Sequence, residues 1–341
     1  VRGRRQQGEL GAWSTTLQRL AAGTIDVAIQ ELHWSTINAV GLPPASYPVL
    51  AVINLCAEDD EDHPERIRLA NLGAERMARA THDDGMLVVA GDDFRLMDIA
   101  RDSGAETMVV ARSHELPIVQ RHLADAGAAI WIEDDQIFLG NGSDRIFLMR
   151  IEKIASSLRG EALFQVTNAM NAAAMAYATG IGIDTIRESL ASFISSSEAL
   201  SSSFNVHRNA PFLAVVNRIE PPGITRAIVR AANPRGRRRQ MSMFGDLSCL
   251  NAEECTEIGR LMGRTHGAVL LHSQSDDRLV QAMRRGIASA EYPPLIIHLT
   301  TERRALNRMF QTAHPDDVLL IFTSDDGRAA NRAVLRQFDD A

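Results

Sequence analysis

The chain has 341 residues, of which 45% are hydrophobic and 23% are charged, and its formal net charge is -7. These values are typical of a globular protein of about two domains. The negative charge argues against a nucleic-acid partner, because phosphate binding needs a basic face. No apolar run is long enough for a membrane span, and no signal-peptide pattern opens the sequence. We therefore expect no membrane contact. The three cysteines, an odd number without metal-type spacing, favour a cytoplasmic protein with reduced thiols.

Lys153 is the only lysine, and nearly all the positive charge is carried by arginine. Chemistry that needs a lysine must use this residue or be absent. No G-x-x-x-x-G-K-[ST] segment occurs in the chain, so no phosphate loop of the Walker type is present in it.

The first half of the chain alternates short apolar runs with helical patterns. Residues 24–32 and 47–55 are rich in β-branched residues and are predicted to be buried parallel strands. Residues 128–151 resemble an antiparallel meander that turns at "EDDQ" and "GNGSD". The other predicted elements of this half are a helix at about 65–80, a strand at 85–91, a helix from Asp93, a strand at 106–113, a helix at 115–127 and two helices within 164–193.

A Ser-rich stretch at 195–211 is predicted to be a linker, and beyond it the alternation of strands and helices begins again. Strands alternating with helices predict a doubly wound, parallel sheet of about five strands. We therefore predict two α/β domains, at residues 1–200 and 205–341. The predicted strands of the second domain are 212–217, 240–244, 267–272, 294–299 and 317–323.

Two acidic features follow predicted strands. Glu31 ends the first strand, and residues 54–63 end the second with five carboxylates and His63. Ligands bind beyond the carboxyl ends of strands in open α/β sheets, and carboxylates there can hold Mg²⁺. The alternatives are a strand-end charge that meets solvent and a solvated acidic loop.

Two further segments carry candidate binding residues. "HSQSDDRL" at 272–279 follows a strand and places Asp277 and Arg278 at a helix start, where they could contact a cofactor or cap the helix. The helix at 166–178 is rich in Ala and contains Asn168 and Asn171. Such small residues suit a helix that lies very close to another element or to a flat ligand.

The order of these elements resembles the Mur ligase superfamily, and within it most closely the cyanophycin synthetases. Four segments carry the resemblance, and they lie at 25–42, 49–63, 83–96 and 164–193. The first resembles the family's strand ending in a metal-binding glutamate. The last resembles the helix whose asparagines lie near the nucleotide.

The resemblance implies a Mur-ligase-like central α/β domain followed by a Rossmann-like, doubly wound C-terminal domain. It also implies ATP-dependent amide-bond formation through an acyl phosphate, on a small-molecule or peptide substrate. On this basis Asn168, with Asp277 and Arg278, is expected to bind the nucleotide. Glu31 and His63 are expected to bind Mg²⁺.

The sequence also departs from the family's pattern. The lysine that the family carbamylates should fall near Ala74, and the family's Asp-Tyr-Ala-His-Asn-Pro loop falls at "NRIEPP", residues 217–222. The resemblance begins after the phosphate loop, which is expected upstream of Val1. Two interpretations remain. In the first, the chain is a region of a divergent ligase, and its partner is a missing N-terminal domain or a second copy of the chain. In the second, it is a degenerate, non-catalytic Mur-like binding protein. In both cases we expect this chain alone to bind Mg·ATP weakly.

Overall fold

The computed structural model describes residues 10–42, 44, 46–54, 64–198, 200–208, 212–233, 235–236, 238–272, 277–324 and 326–339. Two six-stranded sheets organise these residues. The first has the order β1-β2-β3-β4-β5-β6 and the second has the order β11-β10-β9-β12-β8-β7. The predicted α/β class is confirmed, with one mainly parallel sheet in each half of the chain.

The first sheet is parallel from β1 to β4 and antiparallel from β4 to β6. Asp134 and Asp135 both have positive φ, 50° and 58°, as a tight two-residue hairpin between β4 and β5 requires. The predicted meander is therefore confirmed. The elements of this half are α1 (Leu10–Ala21), α2 (Trp34–Val40), β1 (Tyr47–Val52), α3 (Pro64–Ala80), β2 (Thr81–Ala90), α4 (Phe94–Ser103), β3 (Glu106–Ala111), α5 (Pro117–Ala124), β4 (Ala128–Glu133), β5 (Gln136–Asn141), β6 (Asp144–Arg150), α6 (Leu163–Ala178) and α7 (Ile183–Ser192).

Helices cover both faces of the first sheet. One face packs against α3, α4 and α5, with Ala74, Leu96 and Val119 in the shared core. The other face packs against α6 and α7, with Met170 and Ile186 in a separate core. The inner strands are buried on both faces, which explains why they read as continuous apolar runs.

The predicted strand at 24–32 is wrong. These residues form no strand, and Val27 and Ile29 are 58% and 88% exposed. β-branched residues favour extended backbone, but a strand also needs a hydrogen-bonded neighbour, and no strand in the described part of the chain pairs with this segment. The helices α1 and α2, on either side of it, were not predicted. α2 packs on α3, where Arg76 donates hydrogen bonds to the carbonyls of Ile37 and Asn38.

The second sheet has five parallel strands, as predicted, and a short antiparallel strand, β7, that was not predicted. β12 lies between β8 and β9, so the chain winds in both directions. α8, α9 and α10 pack on one face, and α11 and α12 pack on the other. The elements are β7 (Asn205–His207), β8 (Leu213–Arg218), α8 (Pro222–Ala232), β9 (Gln240–Phe244), α9 (Ala252–Gly263), β10 (Gly267–His272), α10 (Asp277–Ala288), β11 (Leu295–Leu299), α11 (Glu302–Thr312), β12 (Val318–Thr323) and α12 (Arg328–Asp339).

Within the described ranges, every helix lacks either the length or the apolar character that crossing a membrane would require.

Candidate functional site

The helix α6 lies between the two sheets and is the centre of the candidate site. Its buried face is formed largely by small residues, including Ala169, Ala173 and Ala174, and it crosses β1, β2, β3 and β4. Small side chains let the helix axis approach the sheet closely. The Ala-rich composition is thus explained by packing against the first sheet.

The beginning of α6 also reaches the second sheet. Leu158 and Ala162, which precede the helix, belong to the core shared with α8, α9 and α10. The ring of Phe164 packs edge-on against Phe204, with 4.9 Å between ring centroids. α6 also contacts α8. A ligand bound beside this end of α6 would therefore touch both halves of the chain.

The two asparagines of α6 have different environments. Asn168 is exposed, so its amide is available to a ligand. Asn171 is 4% exposed, and its Nδ2 donates to the carbonyl of Thr167 at 3.0 Å. The Oδ1 of Asn171 is buried and accepts no hydrogen bond from the described residues. Buried acceptors normally have a donor, so this oxygen marks a place for a water molecule or a ligand N–H group.

Glu31 lies close to the loop that follows β8. The pKa of Arg218 is raised mainly by its hydrogen bond to Glu220 and by the charge of that carboxylate, and Glu31 adds a smaller attraction. The Arg218 Nε and Glu220 Oε1 atoms are 2.5 Å apart. Glu31 is therefore within electrostatic reach of Arg218, whose direct partner is Glu220, and it does not end a strand of the first sheet as predicted.

Of the two proposed magnesium ligands, Glu31 lies within the described residues. His63 and the neighbouring Asp62 lie outside the described residues. Among the residues that the structure does describe, no three His, Cys, Asp or Glu side chains come together as metal ligands. Arg218 lies within electrostatic reach of Glu31, and its positive charge would weaken the attraction of Glu31 for a second cation.

The predicted start of the helix that carries Asp277 and Arg278 is close to the observed one. α10 begins at Asp277, whose side chain lies outside the described part, and Arg278 is exposed. An exposed arginine at a helix start is accessible to an anionic ligand. Its role as a nucleotide contact stays a prediction.

The positions where the sequence departs from the family's pattern have structural roles. Ala74 is 3% exposed in the core beneath α3. Near the end of β8, the Asn217 Oδ1 accepts from the Phe204 amide at 2.7 Å, and the Thr225 hydroxyl of α8 donates to the carbonyl of Glu220, in the loop between them, at 2.9 Å. This loop is therefore held by hydrogen bonds within the second half of the chain.

The structure brings Gly245, His272 and Ser324 together at the carboxyl ends of β9, β10 and β12, and the sequence did not predict that these three meet. A Cβ built on Gly245 would lie 3.2 Å from the His272 ring and 3.6 Å from the Ser324 hydroxyl. The glycine after β9 thus lets the ends of β9, β10 and β12 converge. A residue at a strand end is only a weak indication of such a cluster in the sequence. The three residues meet because of the order of their strands in the sheet, which the sequence does not show directly.

The described thiols are poor nucleophiles. Burial raises the pKa of Cys255 to about 11, and it also raises the pKa of Cys249. Both side chains are protonated at neutral pH, so thiolate chemistry at these two positions is disfavoured.

No protein-family model matches the chain. In sequence it is similar to cyanophycin synthetase from Nostoc sp., with 22% identity over 323 residues that cover 92% of this chain and 36% of that protein. The chain therefore spans about a third of the length of this curated relative.

Two solved structures show the shared fold. Folylpolyglutamate synthase from Thermotoga maritima gives a TM-score of 0.62 at 11% identity, over 97% of this chain and 70% of that one. The MurF ligase from Thermotoga maritima, solved in complex with ADP, gives a TM-score of 0.55 at 15% identity, over 87% and 62% of the two chains. Sequence and fold agree that this chain resembles the Mur ligase superfamily, with cyanophycin synthetases matching it along most of its length.

Proposed function

We propose that this chain is a region of an ATP-dependent ligase of the Mur and cyanophycin synthetase type, which joins a carboxylic acid to an amino acid. The observation that carries the proposal is the sequence similarity to cyanophycin synthetase, which runs through both sheets and covers 92% of the chain. The ADP bound to a MurF ligase of the same fold supports a nucleotide as a ligand. The substrate would be a small molecule or peptide, and the site of action the cytoplasm.

The proposed reaction has two steps. A substrate carboxylate oxygen attacks the γ-phosphorus of ATP, and ADP leaves. The amine of the second substrate then attacks the carbonyl carbon of the acyl phosphate, so that an amide forms, inorganic phosphate leaves and the amine loses a proton. Holding the reacting groups together between the two sheets would supply much of the rate enhancement.

Asn168, Asp277 and Arg278 are the proposed nucleotide contacts. Asn168 presents an exposed amide on α6, and Arg278 presents a positive charge at the start of α10. Glu31 and His63 stay proposed ligands of a magnesium ion. We assign no step of the reaction to that ion. Arg218 lies within electrostatic reach of Glu31, and the described residues contain no cluster of side chains that could hold a metal ion.

A second candidate is a non-catalytic protein that keeps the fold for binding. Two observations favour it: Ala74 is part of the packed core, and the loop at 217–222 is engaged in its own hydrogen bonds. Neither position offers the side chain that the family's chemistry uses. In this case ligand binding would persist without turnover.

The two candidates are separated by expressing the complete coding frame that contains these residues. The protein would be incubated with Mg·ATP, a panel of amino acids as amine substrates, and a set of carboxylic acid substrates labelled with ¹⁸O in the carboxylate. An acyl phosphate mechanism transfers one ¹⁸O to the released phosphate, in amounts equal to the amide formed. Ligand binding without labelled phosphate would support the non-catalytic candidate and contradict the ligase.

The proposed role of Asn168 is tested separately by calorimetric titration of the same protein with Mg·ADP. Asn168→Ala is expected to weaken binding about tenfold, the loss of about 1.4 kcal/mol for a hydrogen bond. Asn307→Ala, which removes an exposed asparagine from α11, is the control and should bind like the unchanged protein. Equal affinities for all three proteins would exclude Asn168 from the site.

A further inference from the structure

The loops that lead into strands β8 to β12 of the second sheet form one surface, which we call the amino rim. These five strands are parallel, so the loops lie at the same edge of the sheet. Backbone hydrogen bonds join neighbouring loops: the Gln240 amide donates to the His266 carbonyl at 2.7 Å, and the Val318 amide donates to the Arg239 carbonyl at 2.9 Å. The length of the strands places the amino rim about 15 to 20 Å from their carboxyl ends. It is therefore separate from the edge at which α10 begins.

Arginine dominates the charge of the amino rim. Within the described residues, its loops carry five arginines and three carboxylates, although the formal net charge of the whole chain is -7. Two of the arginines hold the loops together. The Arg238 Nε donates to the Asp316 carbonyl at 2.6 Å, and Arg239 forms an ion pair with the buried Asp317. Asp316 and Glu291 are exposed, so the amino rim keeps a local excess of positive charge.

The other three arginines of the amino rim have no partner of opposite charge among the described residues. They are Arg208, Arg235 and Arg264, and all three are exposed. The dipole of α9 stabilises a cation at its carboxyl end and accounts in part for Arg264, which is the C-cap residue. Arg208 and Arg235 lie outside the helices, so no helix dipole accounts for them. Three guanidinium groups are thus available to an anionic ligand.

Arg208 also lies near a fourth arginine, Arg159, from the first half of the chain. Arg159 follows Leu158, which belongs to the same core as Phe204 and the partly buried Val206. Arg208 follows Val206 by two positions, the spacing of side chains on one face of an extended chain. Burial lowers the pKa of Arg208, and the charge of Arg159 lowers it further, with no described carboxylate to offset the repulsion. A bound anion would relieve this repulsion.

The dimensions of the amino rim indicate the size of its ligand. Four steps between neighbouring strands separate β10, which follows Arg264, from β7, which precedes Arg208. At about 4.8 Å a step this is about 19 Å, the length of about six residues of extended chain. Beyond β10 lies the beginning of β11, where Tyr292 and Leu295 are 81% and 65% exposed. The row of arginines therefore has an apolar surface at one end.

We propose that the amino rim binds an acidic segment of a partner protein, about six residues long, with a hydrophobic residue at one end. The guanidinium groups bind its carboxylates, in two-pronged pairs where the geometry allows. Tyr292 and Leu295 contact its hydrophobic residue. A long nucleic acid suits the surface less, because it would extend past the arginines onto a chain of formal net charge -7. The inference goes beyond the proposed ligase activity and does not depend on it.

The test measures the binding of a fluorescein-labelled octapeptide, six glutamates followed by two leucines, to the full chain by fluorescence anisotropy. We expect the peptide to bind, and its affinity to fall as salt screens the charges. A peptide with six glutamines in place of the glutamates should not bind. Arg235→Ala combined with Arg264→Ala should weaken binding of the acidic peptide about tenfold or more, because two charge-assisted contacts are lost.

Arg303→Ala combined with Arg332→Ala is the matched control. It removes the same charge from exposed positions on α11 and α12 and should bind the acidic peptide like the unchanged chain. Melting curves of both double variants should match that of the unchanged chain, which shows that the fold is kept. Equal affinities of the two double variants would overturn the proposal, because the peptide would then respond to net charge alone.

Three other outcomes would also overturn the proposal. The first is no binding of the acidic peptide, or equal binding of the glutamine peptide. The second is tighter binding of an octathymidylate than of the acidic peptide, which would assign the amino rim to a nucleic acid. The third is self-association in sedimentation that the Arg235→Ala and Arg264→Ala pair abolishes, which would assign the amino rim to a second copy of the chain.

Discussion

Asp317 and Arg239 form a partly buried ion pair at the amino ends of β12 and β9. The Asp317 side chain is 5% exposed, and its Oδ2 lies 2.6 Å from the Arg239 Nη2. Burial by itself raises the pKa of this carboxyl, but hydrogen bonds from Arg239 and from the His314 amide outweigh it, so the pKa is lowered. A carboxyl group whose pKa is lower in the folded state stabilises the protein at pH values above its unfolded-state pKa. This stabilisation is lost as the pH falls through the folded-state pKa.

We therefore expect Asp317→Asn to destabilise the protein more at pH 7 than at about pH 3. The lower pH lies below the ordinary Asp pKa of about 3.9, where the ion pair contributes less. The measurement is the free energy of unfolding in urea at both pH values. Asp98→Asn, which removes an exposed partner of Arg101, is the control and should change stability by less than about 0.5 kcal/mol at either pH. Equal losses at the two pH values for Asp317→Asn would contradict a lowered pKa.

Asn205 joins the linker to the second sheet. It is 1% exposed, and its Oδ1 accepts from the Ser202 amide at 2.8 Å and from Asn331 at 3.0 Å. Its Nδ2 donates to the carbonyls of Ser195 and Leu200. One side chain thus satisfies four buried groups on three segments.

Asn205→Ala leaves these groups without their partner and is expected to cost about 2 to 4 kcal/mol of stability. The urea midpoint measures the loss. Asn307→Ala, on the exposed face of α11, should change stability by less than about 0.5 kcal/mol. A similar small effect at Asn205 would mean that water replaces the side chain in solution.

Among the elements, α9 and α10 make a very close backbone contact through two glycines. A Cβ on Gly259 would lie 2.2 Å from the Met283 carbonyl oxygen, and a Cβ on Gly286 would lie 2.1 Å from the Thr256 carbonyl oxygen. Both obstacles are backbone atoms, so a side chain cannot be accommodated by a change of rotamer.

Gly259→Ala is therefore expected to separate the two helices and to cost about 3 kcal/mol or more. Gly182→Ala is the matched control, because a Cβ there meets nothing within 4 Å and its φ is -65°. It should be neutral to within about 1 kcal/mol. Thermal unfolding followed by circular dichroism distinguishes the two, and equal melting temperatures would show that the helix pair can shift.

Most elements were predictable because their signals are local. Buried parallel strands are apolar runs, and the turn at Asp134 and Asp135 uses residues that tolerate positive φ. β7 has three residues, too few for a periodic pattern. The error at 24–32 has a different cause: the segment was predicted to be a buried strand from its composition, but strand pairing depends on neighbours that are distant in sequence.

The candidate site was less predictable than the fold. Asn168 was predicted because its helix resembles the family's, and that role stays a prediction, whereas the buried Oδ1 of Asn171 appears only in the packed structure. Glu31 was assigned from a strand end that does not form. Arg218, whose charge Glu31 feels, follows 187 positions later in the chain, and no local sequence pattern indicates such a long-range interaction.

At the scale of the whole molecule, the two sheets share a core around the turn before α6. Leu158 and Ala162 come from the first half of the chain but pack with Phe204 and Ile228 of the second. Leu158 adopts a left-handed backbone, with φ of 55°, which directs the chain into this position. A non-glycine residue held there indicates that surrounding contacts offset the strain. The shared core should make the two halves unfold together.

The tryptophans allow this coupling to be measured. All three, Trp13, Trp34 and Trp131, lie in the first half of the chain, so tryptophan fluorescence reports that half alone. Far-ultraviolet circular dichroism reports the helices of both halves. For the unchanged protein we expect the two urea unfolding curves to coincide, as one cooperative transition requires.

Combining Leu158→Ala with Phe164→Ala removes the apolar contacts between the two halves. The double substitution should lower the free energy of unfolding by about 4 to 8 kcal/mol. The two curves should then separate, because each sheet keeps its own core when the contact is lost. Leu335→Ala is the control, since that side chain is 44% exposed on α12 and lies outside the shared core. Separate curves in the unchanged protein would show that the halves are already independent. Coincident curves in the double variant would place the coupling elsewhere, in the linker held by Asn205.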